Sequence, residues 1–71
     1  MNNIELFLKA LKTMLYSGGG DIPNEAELAF WEFTEWYEKE YSTQIPHFKG
    51  EPWEQIDLTL KWIEQANQFT L

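Results

Sequence analysis

The chain has no cysteine and no arginine, and only one histidine, among its 71 residues. Without cysteine there is no disulfide frame, no thiolate nucleophile and no thiolate metal ligand; this fits a reducing compartment, and a cytoplasmic location is expected. His47 alone cannot assemble an ordinary zinc ligand set, so neither a metal nor a cofactor is expected, and its simplest role is that of an exposed loop residue. The ordered Asp/Asn/Gly loop of an EF-hand is also missing. Gly18-Gly19-Gly20-Asp21 follows a helical pattern rather than a strand and no Gly-Lys-Ser/Thr comes after it, which removes a phosphate cradle and leaves a turn. Long apolar runs are absent, so no bilayer span is expected; Glu5, Lys9 and Lys12 break up the N-terminal leucines, so no signal peptide is expected either.

What the chain does have is acid and aromatic surface. Twelve acidic residues against five lysines give a net charge of −7, which repels phosphate backbones and anionic lipids; direct nucleic-acid or membrane binding is therefore not expected. Four Trp, five Phe and three Tyr supply side chains able to bury roughly 150 to 250 Å² each. A chain this short needs them, because a small domain buries only ~60% of its unfolded surface. The length allows one helical domain, residues 1–71.

Three apolar stripes of helical period predict an all-α fold, a small three-helix bundle, with room for a fourth short helical turn in the 42–51 connection. Ile4, Phe7, Leu8, Leu11, Met14 and Leu15 form the first stripe, capped by Asn2 or Asn3 and stopped near Tyr16 by the glycines. The second helix is expected over residues 24–41, with Asn24 as cap, Glu27 in capping-box position and Leu28 meeting Ile22 or Pro23. Pro52 suits the first turn of the third helix, where Trp53, Ile56, Leu60, Ile63 and Ala66 make the core stripe. Ile45 and Phe48 are expected to tuck down from the connection as a lid. Glu5/Lys9, Glu35/Lys39 and Asp57/Lys61 are i,i+4 pairs with the acid first, which occupies three lysines locally and leaves the acidic excess on the second helix.

That second helix, NEAELAFWEFTEWYEKEY, carries the functional expectation. Stepping about 100° per residue puts Ala26, Ala29, Phe30, Phe33, Trp36, Tyr37 and Tyr41 on one arc, the expected core face. Leu28 and Trp31 fall opposite, among Glu27, Glu35 and Glu38, and these five are the expected partner-binding residues. The alternative is that the first helix or the 42–51 connection covers Leu28 and Trp31. Leu58, Trp62 and Phe69 widen the apolar face of the third helix, either as a core edge or as a second interface in a homodimer. Glu32, Glu35 and Glu38 are close enough in sequence to serve as paired carboxylates, but on a hydrated helix nothing separates their pKa values, so no catalytic residues and no enzyme activity are expected.

Size, acidity and the lack of catalytic motifs resemble those of inhibitors encoded by phages and other mobile elements. From Glu25 to Gln68 the order of an acidic helix, a connection and a final Trp-bearing helix is also similar to that of immunity proteins that neutralise bacterial nuclease toxins. Those proteins carry a paired tyrosine in a short third helix where this chain has Pro46-His47-Phe48, so their toxin-binding residues do not carry over. The expected function is a non-enzymatic inhibitor or antagonist that occludes a basic surface of a partner protein, such as a nucleic-acid-handling enzyme. The alternatives are an immunity-type protein that neutralises a bacterial nuclease toxin, or a structural helical accessory subunit or homodimer.

Overall fold

The computed structural model describes residues 3–66, which form three α-helices and no strand: α1 (Asn3–Ser17), α2 (Asn24–Glu40) and α3 (Pro52–Gln65). Asn2 and Phe69 lie outside the described residues. No described helix is long and apolar enough to cross a membrane.

α1 ends where glycine lets it. The Gly18 amide donates to the Met14 carbonyl at 3.0 Å, and Gly19 and Gly20 then take left-handed φ values of 69° and 84°. α2 starts at its expected cap, Asn24, and so is capped one residue earlier. Pro23 occupies the cap position, its carbonyl accepts the Glu27 amide at 3.0 Å, and Asn24 is already helical without a capping side-chain bond. Proline already holds the φ such a position needs, so no Asn side chain is required; Glu25 and Glu27 instead favour the positive end of the helix dipole. Leu28 does not close the turn before α2; Ile22 packs on the core and Leu28 faces out. α3 begins at Pro52 as expected, with the Glu54 carboxylate accepting the Glu51 amide at 3.0 Å.

Trp53, expected in the core stripe of α3, is instead 46% exposed and lies against the α1–α2 turn: a Cβ on Gly20 would sit 3.2 Å from its Cγ. α2 and α3 therefore both start at the glycine turn and run in the same direction. The α1–α3 pair is antiparallel, since Tyr16 meets Asp57 while Lys12 meets Glu64. The connection 41–51 must then return along the whole of α2. A 17-residue helix rises ~25 Å at about 1.5 Å per residue, which eleven residues, reaching about 36 to 40 Å at full stretch, span as open chain with some slack. Residues 43–49 carry no fourth helical turn. They form a strap instead.

The core joins Leu8, Leu11 and Leu15 of α1 to Phe30, Phe33 and Tyr37 of α2 and Ile56, Leu60 and Ile63 of α3. Trp36 and Tyr41, expected inside, are 40% and 38% exposed. The buried arc of α2 centres between Phe33, Tyr37 and Phe30, and Trp36 lies at its edge, tilted over Phe33 at 5.8 Å and edge-on to Tyr41 at 6.2 Å.

Two substitutions test this frame. Gly20→Ala combines a left-handed backbone with the Trp53 contact, and should lower stability by about 1 to 2 kcal/mol in chemical denaturation. The second concerns the α1–α3 seam, where the Tyr16 hydroxyl donates to Asp57 and Lys61 pairs with the same carboxylate at 3.2 Å. The hydrogen bond to Asp57, then desolvation and the carboxylate's charge, raise the Tyr16 phenol above its ordinary value. Lys61 is raised as well, first through its own bond to Asp57. A group raised on folding stabilises fully below its unfolded pKa and loses that contribution as pH climbs through the folded one. The thermal midpoints of the parent and Tyr16→Phe should therefore differ at neutral pH and converge as pH climbs past the raised folded-state value of the phenol.

Candidate functional site

The five residues assigned to binding on the outer side of α2 separate into two environments. Leu28 is 62% exposed and Glu35 is exposed, while Glu27, Trp31 and Glu38 are half-buried. Trp31 is not presented freely to solvent. It packs against the core, meets Phe30 edge-on at 5.1 Å, and has the strap on its other side, the covering that the 42–51 alternative describes. Glu38 is not simply a solvated charge: its carboxylate accepts the Ile45 amide at 2.7 Å and pins the strap to α2. At the far end the Gln55 side-chain amide donates to the Gly50 carbonyl at 3.0 Å.

Clamped at both ends, with Ile45 packed on the core, the strap leaves a cleft of about 340 Å³ against the helices, within the usual range for ligand sites. Trp31, Pro46 and Phe48 give it apolar and aromatic walls, and Glu38, Gln55 and Thr59 give it polar ones. Thr59 lines the cleft and is only 3% exposed as a residue, yet no buried side-chain polar atom of the described residues is left without a hydrogen-bond partner. The Thr34 hydroxyl is spent on the Trp31 carbonyl at 2.7 Å. His47 is exposed at the cleft, as a loop residue is expected to be.

Sequence reasoning assigned no role to Thr59. Its spacing held the signal, because it lies three residues after Ile56 and four before Ile63, within the core stripe of α3. No comparable signal exists for the Glu38–Ile45 bond, which joins residues seven apart across a helix end. On α3, Leu58 is 38% exposed, whereas Trp62 packs on the core edge-on to Tyr37 at 6.2 Å. Of Glu32, Glu35 and Glu38, the first two are exposed and only Glu38 is engaged by the strap. No protein-family model, curated protein or solved structure matches this chain.

Proposed function

We propose that the chain is a non-enzymatic protein-binding module that occludes a basic surface of a partner protein, through the outer side of α2 and the cleft beside it. The observation that carries this reading is Leu28, a large apolar side chain 62% exposed among glutamates, one helical turn from Trp31 at the cleft. The net charge of −7 steers it toward cations, and a desolvated leucine then slows dissociation. A nucleic-acid-handling protein is the partner class with the matching surface, since a groove that holds phosphates presents the basic side chains this face attracts.

The test is affinity capture with the parent and Leu28→Ala side by side, at low and high salt. The parent should retain a basic protein that salt releases, and Leu28→Ala should lose it. Equal retention by both would end the reading. The exposed Leu58 on α3 supports a second reading, self-association, for which a dimer in sedimentation that Leu58→Ala dissolves is the deciding result.

A further inference from the structure

Resting on that docking reading, we infer that the cleft between α2 and the strap receives an arginine side chain of the partner protein. The cleft offers an indole at Trp31 and a phenyl ring at Phe48, flat faces on which a guanidinium stacks. Ile45 and Pro46 give apolar contact for the methylene stem. Glu38 is the only carboxylate in the lining among the described residues. One of its oxygens accepts from Ile45, and the charge remains to be matched. Thr59 adds a hydroxyl to the lining that can accept from a donor on the ligand.

The polar groups around it narrow the choice further. The Thr34 hydroxyl hydrogen and one Gln55 amide hydrogen are already given to backbone carbonyls, which leaves acceptor capacity at both residues. A ligand rich in acceptors, such as a phosphate or carboxylate, would meet the Glu38 charge and the field of a −7 chain, with His47 the one basic side chain in the lining among the described residues. A planar cation with several donors and an apolar stem satisfies these groups together. Lysine matches the charge but lacks the flat face and the fork of donors.

The decisive experiment is an NMR titration of the intact chain with acetyl-Gly-Arg-Gly-amide and with its citrulline counterpart, which keeps the shape and removes the charge. The arginine peptide should shift the Trp31 indole and Thr59 amide signals saturably, and citrulline should bind about tenfold more weakly or worse, as loss of a charge-assisted bond requires. Glu38→Gln keeps an acceptor for the Ile45 amide and should weaken the arginine peptide by a similar factor. Thr59→Val, which preserves shape and burial, should also weaken it, and provides a second variant should Glu38→Gln unfold. Leu28→Ala should leave the peptide response unchanged, because Leu28 is not part of the cleft. Absence of a saturable response, equal binding of citrulline, or indifference to both cleft variants overturns the assignment. Should the peptide fail while Leu28→Ala still abolishes partner capture, the arginine pocket falls and the docking reading stands; indifference of capture to Leu28 removes both.

Discussion

Ile63→Ala and Phe33→Ala should each lower the free energy of unfolding by about 2 to 5 kcal/mol. Ile63 is fully buried, so its loss removes transfer free energy and leaves a cavity among neighbours drawn from all three helices. Phe33 is buried within a chain of rings, 6.1 Å from Phe30, 5.8 Å from Trp36 and 6.0 Å from Tyr37, and its removal breaks three aromatic contacts at once. A domain of this length holds only about 4 to 10 kcal/mol in total, so either change removes a large share. Denaturant titration with intrinsic tryptophan fluorescence reads the effect directly. Midpoints near the parent for both variants would mean that other faces of α2 and α3 form the core.

The helices were legible because their signals are local. Apolar residues recur at helical spacing in all three, the glycines stop α1, and Pro52 opens α3. The strap was not, because its path is set by where the helix ends lie, which no local pattern records: only once α3 starts beside Gly20 must the connection run back along α2. The same reason explains the misplacement of Trp36. A helical wheel orders residues around α2 but does not say which directions its neighbours occupy, and α1 and α3 cover Phe30, Phe33 and Tyr37 while leaving the edge open. Trp31 shows the converse, since a residue opposite the core arc is half-covered by a segment that returns from the end of its own helix. The candidate site was therefore readable in its residue types, acids around Leu28 and Trp31, and unreadable as a cleft.

Leu28 and Trp31 should then separate stability from binding. Leu28→Ala changes an exposed position and should leave unfolding within ~0.5 kcal/mol of the parent, while weakening partner binding by ~2 kcal/mol or more, about thirtyfold in Kd. Trp31→Ala should cost about 1 to 3 kcal/mol of stability as well, because it gives up packing against the core and the edge-on contact with Phe30. Trp31→Phe keeps much of that packing and tests binding more cleanly. Charge reversal acts on a different quantity. Glu27→Lys and Glu35→Lys should lower the association rate and flatten its salt dependence with little change in dissociation, since charges steer encounter over ~8 to 10 Å. Glu38 is unsuited to that test, because Glu38→Lys would also release the strap from α2. The readout is stopped-flow association across a salt series, paired with denaturation of each variant. If Leu28→Ala unfolds the chain, or binds as the parent does, then Leu28 is not an anchor and the glutamates around it are only the solvated side of a structural helix.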